Sequence, residues 1–253
     1  MSTKTISLYR WFLGKFFEFV EQRTTLELVD RDLIREWILS LKKLDWSEHS
    51  INDSLRILKV FWNWMIAEGF WLGESPLEKI KPLMVERRLK RILSPDEMNN
   101  LLQVPNCSTF TGLRNYCLLL IMYEAMLRLN EALTLKSVDV DWTSGSVVVF
   151  GKGRKERVID CLGTKAVASL RQLWAFRQNL SGKTFFCQQD GKPLKVRYVQ
   201  HLVTRYGKRI GLRVYPHLLR HTGATHRVQL GENLYRVKQL LGHSSITTTE
   251  HYV

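Results

Sequence analysis

Apolar residues recur at three- and four-residue steps through residues 1 to about 80, and no stretch of strand period competes with them. The run Leu8-Tyr9-Arg10-Trp11-Phe12-Leu13-Gly14-Lys15-Phe16-Phe17-Glu18-Phe19-Val20 has the spacing of an amphipathic helix. Asp30 is placed to cap a second helix through Ile34, Trp37, Ile38 and Leu41. Ser47 or Ser50 opens a third, carrying Ile51, Leu55, Leu58, Phe61, Trp62 and Met65, which Gly69 ends. Pro76 allows a short fourth. Helices of this length, each with one apolar face, predict a small helical bundle.

A basic stretch, Lys81-Pro82-Leu83-Met84-Val85-Glu86-Arg87-Arg88-Leu89-Lys90-Arg91, begins with a helix breaker and reads as an interdomain linker. A solvated charged helix face is the alternative. Then Ser94-Pro95-Asp96-Glu97 combines an N-cap, a proline at the first helical position and acids that the helix dipole favours. A second domain, 92–253, starts there with helices through about Leu135. Ser146–Phe150 and Arg157–Asp160 read as two short strands around the turn Gly151-Lys152-Gly153-Arg154-Lys155, and the remainder is again mostly helical. The expected fold is mainly α, with a small β-hairpin in the C-terminal domain.

The chain carries 38 lysines and arginines against 24 acids, a formal net charge of +14. Such an excess favours a polyanion as partner, nucleic acid or an anionic membrane, although a merely basic soluble protein has the same balance. No apolar run is long enough to predict a membrane span. The first residues lead into a helical pattern with charges inside it, unlike a signal peptide. Cys107, Cys117, Cys161 and Cys187 form no C-x-x-C pair and are expected as reduced thiols of an intracellular protein, Cys117 buried in its apolar run.

The Gly151–Arg157 turn lacks the spacing of a Walker A loop, so it reads either as a surface hairpin or as a phosphate-contact loop. Five of the seven histidines fall at His217, His221, His226, His243 and His251. His217 and His221 are four apart, on one face if helical, with Arg220 between them and no acid from His217 to His226. A guanidinium in that place opposes a cation, so this cluster suits phosphate better than metal.

Four segments resemble one family in order and spacing. They are Glu124-Ala125-Met126-Leu127-Arg128-Leu129-Asn130-Glu131-Ala132-Leu133, Val149 to Arg157, Pro216-His217-Leu218-Leu219-Arg220-His221-Thr222-Gly223-Ala224-Thr225, and Leu240-Leu241-Gly242-His243-Ser244-Ser245-Ile246-Thr247-Thr248-Thr249-Glu250-His251-Tyr252. They are similar to the T-G-L-R-I-S-E-A-L, G-K-G-x-K-x-R, H-x-L-R-H-T-x-A-T and L-G-H-x-S-x-x-T-T-x-x-Y boxes of the tyrosine recombinases, or phage integrases, including their Xer-like and mobile-element members. Thr111-Gly112-Leu113-Arg114 looks still more like the first box. Arg114, however, has no Glu three residues on and precedes the apolar helix Cys117–Met122, whereas Arg128 follows it and has Glu131.

The resemblance implies a helical N-terminal core-binding (SAM-like) domain over 1–80, a linker over 81–91 and a catalytic domain over 92–253. It implies site-specific cleavage and rejoining of DNA through a 3′-phosphotyrosyl intermediate, without metal, ATP or other cofactor. Tyr252 would be the nucleophile, Arg128 and Arg220 the phosphate grips, and Lys152 the general acid. His217 would be the base or proton relay, His243 a phosphate hydrogen-bonder, and Glu131 their support. Backbone phosphates would meet Arg87, Arg88, Lys90 and Arg91 in the linker and Arg154, Lys155 and Arg157 at the hairpin. The implied partners are double-stranded DNA and further copies of the chain, a dimer on one site and a tetramer in synapsis. No membrane is implied, and the chain would be cytoplasmic, associated with the nucleoid when on DNA.

Two departures stand out. Met126 occupies the usual glycine position, which would shift Arg128 if that glycine serves a close approach. Only Val253 follows Tyr252, where many relatives carry a further docking helix, so residues 244–253 are expected to gain order on DNA or a partner. A DNA-binding module with a degenerate pocket and a type IB topoisomerase-like activity are the competing readings. Target sequence, reaction direction and accessory proteins are not written in these residues.

Overall fold

The computed structural model describes residues 3–86, 91–151, 156–160 and 162–242. The chain divides into two compact units, Met1–Leu89 and Lys90–Val253.

In the first unit α1 (Thr3–Glu21), α2 (Arg31–Lys43) and α3 (Glu48–Ala67) enclose one core. The caps are those the sequence proposes: the Asp30 carboxylate accepts from the Leu33 amide at 2.8 Å, and Ser47, not Ser50, caps α3. Phe16 sits at the centre, edge-on to both Trp37 and Trp62 with ring centroids 5.6 Å apart. That geometry sets the positive ring edge against the negative face.

The fourth helix after Pro76 does not form. Two successive turns take its place, closed by Glu78 N to Ser75 O at 3.0 Å and Ile80 N to Leu77 O at 3.1 Å. They direct both Leu77 and Ile80 into the core, and Pro82 bars any helical continuation. The stretch expected as a linker is anchored at its start: the Asn52 amide on α3 donates to Leu83 O at 2.9 Å and accepts from Leu83 N at 2.7 Å.

The second unit runs α4 (Pro95–Gln103), α5 (Phe110–Glu124), α6 (Leu129–Thr134), β1 (Val147–Phe150), β2 (Glu156–Ile159), α7 (Thr164–Arg177), α8 (Val196–Arg209), α9 (Pro216–Gln229) and α10 (Leu234–Leu241). Ser94 and Glu97 form a reciprocal capping box at α4, satisfying two backbone donors that the helix leaves open. From Gly112 to Met122 every residue of α5 is buried, so it is the central helix, with α7 and α9 packed on it. Gly223 lets α9 touch α5 backbone to backbone: a Cβ there would lie 2.0 Å from Tyr123 O.

β1 begins one residue later than expected and ends at Phe150 as expected, β2 begins and ends one residue earlier, and the two pair antiparallel, with Val147 opposite Ile159 and Val149 opposite Arg157. Val147, Val149 and Ile159 are buried, and the period of two puts Arg157 on that same inner face. Cys107, Cys117 and Cys187 are free, and burial pushes the Cys117 thiol up. Cys161 lies outside the described residues. No helix among the described residues is long and apolar enough to cross a membrane.

Candidate active site

After α5 the chain turns a tight corner through Met126, whose φ of 51° is left-handed, and Arg128 becomes the N-cap of α6. Glu131, three residues into the helix, reaches back to the Arg128 amide at 2.8 Å and also accepts Arg128 Nη1 at 2.9 Å. Arg157 adds a two-pronged contact from β2, with Nη1 to Oε1 at 3.0 Å and Nη2 to Oε2 at 2.8 Å. Arg220, from α9, brings Nη1 to 3.7 Å from Oε2. One carboxylate thus stands among three guanidiniums. Burial pushes the Glu131 carboxyl up, but the bonds from Arg157 and the Arg128 amide outweigh it and hold the group below its usual value.

Arg220 is 1% exposed, and its fork donates to Met126 O at 2.7 Å and Leu241 O at 2.7 Å. It therefore joins the corner before Arg128 to the C-terminal turn of α10. His217, one turn earlier on α9, is exposed, while His221 is buried. Arg128, Arg220 and His217 border one cleft of about 530 Å³, with Asn130 beside them and Gln200 and Thr204 facing in from α8. The surplus positive charge and the nearby N-terminus of α9 suit an anionic, phosphate-sized group.

The geometry thus brings together Arg128, Glu131, His217 and Arg220. Lys152, His243 and Tyr252 lie outside the described residues, as do Arg87, Arg88, Lys90, Arg154 and Lys155. Arg91 is exposed and pairs with Glu97 at 2.5 Å. Arg157, expected as a phosphate contact, is bonded within the protein. Its side chain is 12% exposed and directed inward, because strand alternation places it with Ile159. That alternation was the available sequence signal, overridden by the basic run around it. Arg114 is likewise occupied away from the cleft, buried on Asn115 Oδ1, Cys187 O and Tyr198 OH. Among the described residues no group of three or more His, Cys, Asp or Glu gathers as for a metal.

A SAM-like family model, described as the phage integrase N-terminal domain, matches residues 1–69, and the phage integrase family model matches residues 91–253. A helical DNA-recombinase architecture of two units is thereby defined as the class. The chain belongs to the phage integrase family, the tyrosine-type enzymes of site-specific DNA strand breakage and rejoining. It is 32% identical to tyrosine recombinase XerC of Thermodesulfovibrio yellowstonii over 263 residues, covering 99% of this chain and 85% of that one. It is 29% identical to tyrosine recombinase XerD of Staphylococcus epidermidis, covering 100% and 88%. Among solved structures, XerH recombinase in a post-cleavage complex with palindromic difH substrate superposes with a TM-score of 0.85 at 25% identity, covering 98% and 75%. The Tn1549 transposon integrase with transposon right end DNA, at 19% identity, TM-score 0.81 and coverage of 100% and 89%, shares the fold.

Proposed function

We propose that this chain binds double-stranded DNA and exchanges strands at a specific site, with Tyr252 as nucleophile. The observation that carries the reading is the convergence of Arg128, His217 and Arg220 on one cleft, braced from behind by Glu131. Arg128 offers a planar fork to non-bridging phosphate oxygens, and the positive charge of Arg220, whose terminal nitrogens are held on two backbone carbonyls, favours the charge that develops there during displacement.

In this reading the Tyr252 oxygen attacks phosphorus and the 5′ oxygen leaves. His217 receives or relays the tyrosine proton, Lys152 supplies the proton that the 5′ oxygen takes up, and His243 donates a hydrogen bond to the phosphate. The 3′-phosphotyrosyl link keeps the bond energy for attack by a second 5′ hydroxyl, so neither metal nor ATP is needed. Arg91 and the basic residues Arg87, Arg88, Lys90, Arg154 and Lys155 add phosphate contacts that position the duplex without reading its sequence. Two copies act on one site and four in synapsis, in the cytoplasm where the nucleoid lies.

The test is a nicked suicide duplex carrying the target site, found in the DNA flanking the gene. The unaltered protein is expected to leave an adduct that survives SDS, and Tyr252→Phe to leave none. A validated site that yields no adduct with the unaltered protein overturns the reading.

A further inference from the structure

Arg157 is the one basic residue of the hairpin box whose side chain is described, and it is directed toward the protein. Its Nε donates to Leu240 O at 2.8 Å, while its two terminal nitrogens grip the Glu131 carboxylate. Leu240 belongs to the last turn of α10, whose carbonyls have no partner within the helix. A cation there also meets the negative end of the helix dipole. Gly242 completes the arrangement: it caps α10 with φ of 62°, and a Cβ on it would press to 3.2 Å from Arg157 Nη1. The cap thus needs glycine for its backbone and for the guanidinium lying against it.

We propose that Arg157 is a positioning residue for strand cleavage, a strut that fixes the Glu131–Arg128 unit to the end of α10. This rests on the function proposed above. Among the described residues, Glu131 holds both the amide and the Nη1 of Arg128. The chain that leaves α10 leads directly to His243 and Tyr252. One planar group therefore fixes the distance between a phosphate grip and the start of the segment that carries the nucleophile. Arg220 makes the parallel bond one residue further on, to Leu241 O, and its hydrogen bond on the other side goes to Met126 O, with the capping carboxylate at the longer distance of 3.7 Å. The two struts together hold α10 against both sides of the Arg128 corner. A lysine cannot replace Arg157, since one ammonium on a flexible stem does not span a carboxylate and a carbonyl with fixed geometry.

The experiment compares the full-length protein with Arg157→Lys on a suicide duplex, reading Kd and the single-turnover adduct rate at saturating DNA. The expected result is an adduct rate lower by about a hundredfold, the scale of a misplaced reacting group, with Kd changed less than about threefold. Arg157→Gln, read identically, replaces the lysine variant should that one fail to show a cooperative urea transition. A double variant with Glu131→Gln is expected to be no slower than the slower single variant by more than about threefold, because both changes break the same strut. A weakened Kd with a shallower salt dependence and an unchanged saturated rate marks a direct phosphate contact and overturns the proposal. An unchanged Kd and an unchanged rate overturn it too. If the unaltered protein forms no adduct, the chemical reading falls and the strut with it; if it does, only the Arg157 variants decide.

Discussion

The Arg220 guanidinium donates to the carbonyl oxygen of Met126 at 2.7 Å, and Met126 presents that oxygen from a left-handed backbone with φ of 51°. The relationship explains why glycine is common at this place in the family's box. The corner between α5 and α6 must turn sharply enough to aim one carbonyl at Arg220 and, two residues on, to begin a helix at Arg128. Any residue other than glycine meets steric resistance there. Met126 keeps the geometry by burying its side chain completely.

Met126→Gly sets two effects against each other. Glycine relieves roughly 1 kcal/mol of left-handed strain, but loses a fully buried side chain at about 2–5 kcal/mol. Burial wins, so the variant is expected to be less stable by about 1–3 kcal/mol in urea unfolding, while still forming the DNA adduct. A variant more stable than the parent would show that the strain dominates.

Gly223→Ala has no such compensation. Its Cβ would meet the Tyr123 backbone oxygen at 2.0 Å, where no flexible side chain can give way. The α5–α9 contact must open, and a loss of about 2–3 kcal/mol is expected, the range of an overpacked core. Unfolding curves that coincide with those of the parent would contradict this packing.

Glu131→Gln tests the electrostatics of the cluster. The carboxylate is 6% exposed and pairs with Arg157 at 2.8 Å and Arg128 at 2.9 Å, so its loss strands buried positive charge at about 3 kcal/mol. The folded value of Glu131 is lowered from 4.5. The stabilisation is therefore complete above that value and fades as pH falls through the lower, folded one. The stability gap between parent and variant should accordingly be widest near about pH 7 and shrink progressively as pH falls below 4.5. A gap that does not change with pH would place the effect elsewhere.

Arg114→Met separates the two arginine boxes by consequence. Arg114 is buried among Asn115, Cys187 and Tyr198, so its loss strands acceptors and is expected to destabilise by about 2–3 kcal/mol. The adduct rate, measured where the variant is folded, should change by less than about threefold. A rate collapse like that expected of Arg128 would move the active site to α5.

Much of this protein is legible in its residues taken in order. The caps at Asp30, Ser47 and Ser94 and the apolar helix Cys117–Met122 need only local hydrogen bonds and a periodicity within one element. The pairing of Arg128 with the Glu three residues on is likewise legible, a spacing that α6 turns into a capping contact. What the sequence left open depends on elements far apart in the chain. The Pro76 segment became two turns because Leu77 and Ile80 both had to reach one core. Arg157 read as a DNA contact because charge counts describe residues one at a time. Only packing decides that a guanidinium on the inner face of β2 finds Glu131 and the end of α10. A buried cation must have partners, and tertiary structure alone says which carboxylate and which carbonyl stand within reach.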